Sequence, residues 1–209
     1  PKSLPKGTRL EAATADLIVD AVAATHGGML VFLPGEGEIR RVAQNLAGRL
    51  PDDCQIRPLY GALPFKDQRA AIAPVATGRK IVLATSIAET SLTIEDIRVV
   101  VDAGRSRRAR FDPGSGMSRL VTERVSRAEA TQRAGRAGRV APGDAYCLWT
   151  KGEEGALPAF APAEIEAADL ASLALEIADN LEVGARDPLA LIEDVKRLDT
   201  KGADVVVLS

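Results

Sequence analysis

Apolar positions recur at helical spacing over residues 10–25 (LEAATADLIVDAVAAT), and Gly27-Gly28 ends the repeat. A continuous apolar run follows at Met29–Leu33 (MLVFL), the pattern of a strand buried on both faces of a parallel sheet. After PGEGE the rhythm repeats, with a helix over Ile39–Leu50, a strand over Gln55–Leu59 and a helix over Lys66–Ala73. Two strands rich in β-branched residues come next, Lys80–Thr85 (KIVLAT) and Ile97–Ala103 (IRVVVDA). Strands alternating with helices at this spacing predict a three-layer α/β domain around a mainly parallel sheet.

The alternation breaks after Ala103. Arg105–Phe111, a turn over residues 112–116 (DPGSG) and Met117–Thr122 predict an inserted β-hairpin. Thr131–Val140 (TQRAGRAGRV) then sets Arg133, Arg136 and Arg139 three residues apart with Gly135 and Gly138 between them. On one helix, three-residue steps keep the three guanidinium groups within an arc of roughly 120°. Each glycine lowers helix stability by about 1 kcal/mol relative to alanine, a reasonable loss where backbone must approach something closely. Taken alone, the stretch fits a solvated basic helix, or one lying on a nucleic-acid backbone. Gly143–Thr150 reads as a closing strand, Ala163–Ala178 as a helix, and the tail to Ser209 as one helix and one strand.

Composition adds a charge asymmetry. Of 209 residues, 46% are hydrophobic and 27% charged, with a net charge of −2. Between Gly104 and Arg139 stand ten arginines against Asp112, Glu123 and Glu129, a local +7, so the remainder carries −9. Such segregation is expected when one face meets polyanions. Cys54, Cys147 and the lone His26 make no metal spacing, so no side-chain metal site is expected, and a reduced, cytoplasmic setting fits. No apolar run is long enough to span a membrane, and a start at Pro1 suggests an excised fragment.

QRAGRAGR at residues 132–139 resembles motif VI of the superfamily-2 helicases, and ATSIAETSLTI (residues 84–94) resembles motif V of their DEAH-box branch. With residues 28–42 (GMLVFLPGEGEIRRV) and 58–69 (PLYGALPFKDQR), the likeness covers about 150 residues and is nearest to the bacterial HrpB-type ATP-dependent RNA helicases. The resemblance implies the second RecA-like (helicase C-terminal) domain over residues 1–156 and the start of a winged-helix domain over 157–178. Residues 179–209 fit it poorly. That tail resembles a unit of the aspartate/glutamate racemase and maleate isomerase group, without the cysteine nucleophile of that group.

GxxxxGK[ST] and a DEAH tetrapeptide do not occur in the sequence. The resemblance assigns them, with most of the hold on Mg2+, to a first RecA-like domain that would be this domain's partner across ATP. It puts Gln132 and Arg133 at the nucleotide, Arg136 and Arg139 at the phosphates with Arg139 as arginine finger, and Thr93 and Glu95 near the ribose. Ile72 stands where the family often stacks an aromatic residue on adenine. Single-stranded RNA would meet Gly35 and Glu36, the hydroxyls of Thr85, Ser86 and Thr90, and Arg105, Arg107 and Arg108. The family usually has asparagine in place of Ser86. With only 3% aromatic residues, binding is expected to follow the backbone rather than read bases. The rival expectation is a non-catalytic RNA-binding or adaptor module that keeps the fold.

Overall fold

The computed structural model describes residues 7–90, 94, 96–112, 115–139 and 142–162. Compactness divides the chain into two units, Pro1–Arg108 with Thr122–Ala161 and Ala109–Val121 with Pro162–Ser209.

The first unit is built on five parallel strands: β1 (Gly28–Phe32), β2 (Cys54–Leu59), β3 (Arg79–Ala84), β4 (Ile97–Asp102) and β7 (Asp144–Cys147), in the spatial order β2-β3-β1-β4-β7. Side chains alternate faces along each strand, and two cores result. Met29, Val31, Ile81, Leu83, Val99 and Val101 pack on one face with α1 (Leu10–Ala24) and α2 (Glu36–Leu46). Leu30, Phe32, Val82, Ala84 and Val100 pack on the other, under α3 (Phe65–Ile72), α4 (Ile87–Thr90) and the segment that ends in Ala137. The expected three layers and parallel sheet are present.

The boundaries differ from the sequence reading in instructive ways. Helix α2 begins at Glu36 rather than Ile39, since Gly35 caps it and Glu36 and Glu38 favour the first turn. Short helices α4 and α6 (Lys151–Gly155) were not expected; Thr150 and Glu153 form a capping box at the start of α6. The hairpin is present as β5 (Arg105–Asp112) and β6 (Met117–Arg124). At its turn the Ser115 hydroxyl donates to the Asp112 carboxylate at 3.0 Å, and the Gly116 N–H donates to the Asp112 carbonyl at 2.9 Å. The helix expected at Ala163–Ala178 and the tail from 179 lie outside the described residues.

Ile81 has no exposed surface, and its register partners are Met29 and Ile56. Ile81→Ala is expected to lower the unfolding free energy by about 2–5 kcal/mol, measured by urea titration. A loss well under 1 kcal/mol would show that the middle of the sheet is not the core.

Candidate functional site

Helix α5 (Arg127–Ala134) starts at a complete capping box. Ser126 Oγ accepts from the Glu129 N–H at 3.2 Å, and the Glu129 carboxylate accepts from the Ser126 N–H at 2.7 Å. It ends before two of the three arginines. Gly135 is its C-cap, and Arg136 and Ala137 continue in tight turns, their N–H groups donating to Arg133 and Ala134 carbonyls. The expected single helical row of guanidinium groups is therefore not formed, because the helix stops at its first glycine.

Arg133, expected at the nucleotide, turns inward. Only 1% exposed, it donates through Nε to Glu89 at 2.7 Å and through Nη1 to Asp102 at 2.9 Å and the Arg105 carbonyl at 3.3 Å. Its guanidinium also lies 5.0 Å from the Phe32 ring centroid. Burial pulls Arg133 down, but Asp102 and Glu89 outweigh that and hold it above its usual range. Burial pushes both carboxyls up, and one cation shared between two anions offsets this only in part.

Arg136 is 6% exposed, and burial first, then repulsion from Arg139, holds it below its usual value. Arg139 and Gln132 are exposed. Arg136 and Arg139 line a small hollow with Leu30, Ile97 and Ile94, the last residue of the ATSIAETSLTI stretch. Ile72 and Ile94 both pack on the core beneath α3, α4 and Ala137. Of the candidate nucleotide residues, Ile72, Arg136 and Arg139 thus lie on one face of the sheet. Thr93 and Glu95 lie outside the described residues.

The candidate RNA residues gather elsewhere. Strand register aligns Leu59, Ala84, Phe32, Asp102 and Cys147 in one row at the carboxyl ends of the sheet. The segments leaving that row carry Thr85 and Ser86 after β3, Gly35 and Glu36 after β1, and Arg105 after β4. Neighbouring strands are about 4.8 Å apart, so these segments emerge side by side. Ser86 is exposed and Thr85 half-buried, while the side chain of Thr90 lies outside the described residues. Gly104 makes the turn into β5. Its φ of +71° favours glycine, its N–H donates to Asp102 at 2.8 Å, and a Cβ there would stand 2.8 Å from Trp149.

Two of the hairpin arginines are held by carboxylates of the chain itself. Arg107 pairs with Glu38 at 3.2 Å, with a third of its side chain exposed. Arg108 pairs with Glu123 at 3.3 Å and with Glu129, and only 19% of its side chain is exposed. Arg108 thus links β5 to α5. Burial acts to raise Glu129, but the Ser126 N–H and hydroxyl, with Arg108, pull it below the usual carboxylate range.

The sequence reading passed over Glu89, Asp102 and Glu38. The first two carried a signal, a lone acid in a hydroxyl-rich stretch and a charge ending a run of buried valines. A cavity of about 290 Å³ between α5, β7 and α6 touches Asp102, Thr131 and Trp149 but none of the candidate contact residues.

Fold and motif order define the second RecA-like half of a superfamily-2 helicase. Residues 13–141 match the helicase conserved C-terminal domain, and the chain belongs to that family, in its DEAH-box, HrpB-like branch. It is 49% identical over 186 residues to the ATP-dependent RNA helicase HrpB of Escherichia coli (strain K12), covering 88% of this chain and 23% of that protein. It is 36% identical over 181 residues to the ATP-dependent RNA helicase DHX33 of Homo sapiens, covering 83% and 26%. The crystal structure of the E. coli DExH-box NTPase HrpB matches with a TM-score of 0.83 at 42% identity, over 100% of this chain and 27% of that one. The chain spans about a quarter or less of the length of the curated relatives it matches.

Arg133→Gln leaves two buried carboxylates without their cation and is expected to destabilise the fold by about 3–5 kcal/mol. Arg139→Gln, at an exposed position, should leave the urea midpoint unchanged. Equal midpoints for the two variants would refute the structural role of Arg133. A second expectation concerns pH. The folded-state pKa of Glu129 is depressed, so its contribution is present above the unfolded value near 4.5 and lost as pH falls through the folded one. The stability gap between wild type and Glu129→Gln should therefore be full at pH 7 and shrink as pH falls below the unfolded value near 4.5. A gap that is constant from pH 7 to pH 3 would contradict it.

Proposed function

We propose that this chain is the C-terminal RecA-like domain of an ATP-dependent DEAH-box RNA helicase. It would supply the arginine finger and the RNA-backbone contacts for translocation and unwinding in the 3′–5′ sense. The observation that carries the reading is the division of motif VI. Arg133 is spent inside the fold, while Arg136 and Arg139 stand together beside the end of motif V, with Arg139 open to solvent. A Cβ at Gly138 would meet nothing within 4 Å. Neither space nor positive φ among the described residues demands this glycine, which supports a role in close approach by a partner surface.

In this reading ATP binds between this domain and a first RecA-like domain. The phosphoryl group passes through a loose transition state, and a fixed guanidinium beside it contributes about 10³ to 10⁵ in rate. Arg139, with Arg136, has that role, and Gln132 on the exposed end of α5 orients the region of the attacking water. Ile72 covers the base without a π-face, while Thr93 and Glu95 approach the ribose. Among the described residues no group of His, Cys, Asp or Glu side chains is arranged to hold a metal ion. Mg2+ carried by the first domain would neutralise charge on the β- and γ-phosphates.

RNA follows the carboxyl row of the sheet. Backbone at Gly35 and Glu36, hydroxyls of Thr85, Ser86 and Thr90, and the guanidinium groups of Arg105 and Arg107 offer phosphate and 2′-OH contacts. Nucleotide face and RNA row belong to the same rigid sheet. Closure on ATP would therefore carry the RNA contacts with it, and reopening would leave them one step along.

In the intact protein Arg139→Ala should cut RNA-stimulated ATP hydrolysis by about 10³, with RNA affinity retained. The paired change of Arg105 and Arg107 to alanine should weaken RNA binding and flatten its salt dependence. The 209-residue chain by itself should turn over no ATP. Turnover by that chain, insensitive to Arg139→Ala, would sink the proposal. RNA binding by an intact protein that never hydrolyses ATP would favour the adaptor alternative.

A further inference from the structure

Taking Arg107 as an RNA contact, which rests on the reading above, we propose that Glu38 is its positioning residue. It is an internal stand-in for a backbone phosphate, holding Arg107 on the α2 N-terminus until a phosphodiester takes its place. Arg107 Nη2 lies 3.3 Å and 3.2 Å from the two Glu38 oxygens. The carboxylate is the enclosed member, 13% exposed, whereas a third of the Arg107 side chain is open. The guanidinium can leave outward; the carboxylate stays.

Two further features make the exchange feasible. Glu38 also accepts from Arg41 at 2.7 Å, and Arg41 reaches Glu11 at 2.7 Å. Departure of Arg107 therefore does not strand a buried charge, the situation that makes other enclosed ion pairs expensive to break. Gly35 shapes the resting place. Its φ of −166° is extended backbone open to any residue, and it caps α2 with no side-chain hydrogen bond, where Ser, Thr, Asp or Asn is preferred. What glycine supplies here is room. A Cβ on Gly35 would stand 2.9 Å from both Arg107 Cζ and Glu38 Oε2, and closer still to Arg107 Nη1, so the glycine leaves room for the pair. Gly35 and Glu36 belong to the β1 segment that emerges beside Arg105, so the resting place lies on the RNA row itself.

An exchange of this kind suits a strand that must be gripped and released repeatedly. Swapping a carboxylate for a phosphate keeps the number of ion pairs constant, so the contact adds register along the strand with little added affinity. Glu38 thereby lowers the affinity for any single strand and favours strands whose phosphate spacing lets Arg107 transfer.

The test is binding of a labelled oligouridylate to the intact protein between about 50 and 200 mM salt, with thermal unfolding of each variant in parallel. Glu38→Gln should tighten binding about three- to tenfold and steepen the log–log salt slope by about 0.7, the increment of one added phosphate contact on a single strand. Glu38→Asp should restore wild-type behaviour. Adding Arg107→Ala to Glu38→Gln should abolish the gain. If Arg107→Ala weakens binding but Glu38→Gln leaves affinity and slope unchanged, the contact stands and the role of Glu38 falls. If the gain of Glu38→Gln survives the addition of Arg107→Ala, the RNA reading of Arg107 falls first.

Discussion

The position of α5 depends on one side chain. Arg133 joins Glu89 of α4, Asp102 of β4, the carbonyl of Arg105 on β5 and the ring of Phe32 on β1. A helix of eight residues with sequence RAEATQRA is marginal by itself, since nucleation is unfavourable and few turns follow. The capping box fixes where it begins, and Arg108 to Glu129 ties that end to the hairpin. Arg133 fixes the other end. Everything downstream, Arg136 and Arg139 included, takes its place from those two anchors.

The sheet accounts for the rest of the layout. Parallel strands bring their carboxyl ends to one row, where the connecting segments are free to vary while the strands below stay packed. Residues far apart in sequence, at 35, 85 and 105, arrive there as neighbours. The short helices α3, α4 and α5 cover the other core thinly, leaving Ile72, Ile94, Arg136 and Arg139 near one surface. The carboxyl row and the Arg136–Arg139 hollow thus lie at different places on the same sheet.

The strands were legible in the sequence because buried parallel strands leave an unbroken signature: MLVFL, KIVLA and IRVVVD need no context to be recognised. The fate of the three arginines was not legible, because a three-residue repeat treats them as equivalents and only tertiary contact separates them. Part of the answer was nevertheless written out. SRAE at residues 126–129 is a capping-box pattern, and it places the start of α5 before the arginine repeat, so that its eight residues end at Ala134. Asp102, a charge closing a run of valines, required a buried cation nearby, and Arg133 is that cation. Arg107 shows the converse limit. A local charge balance along the chain misses a carboxylate that only the fold brings near, as Glu38 is brought to Arg107.

Stability alone does not explain a buried arginine. A hydrophobic side chain of similar volume would fill the space without desolvating three charges, and such replacements are often neutral or stabilising. A guanidinium adds direction. Its planar fork accepts partners only along fixed lines, and here those lines run to α4, β4 and β5 at once. An apolar plug would let α5 rotate or slide by a fraction of a turn with little change in buried area. With the fork in place, a small rotation breaks two charge-assisted hydrogen bonds together, so Arg136 and Arg139 are delivered at a defined angle. Within residues 132–139, Arg133 sets the angle and the backbone carrying Arg136 and Arg139 follows it.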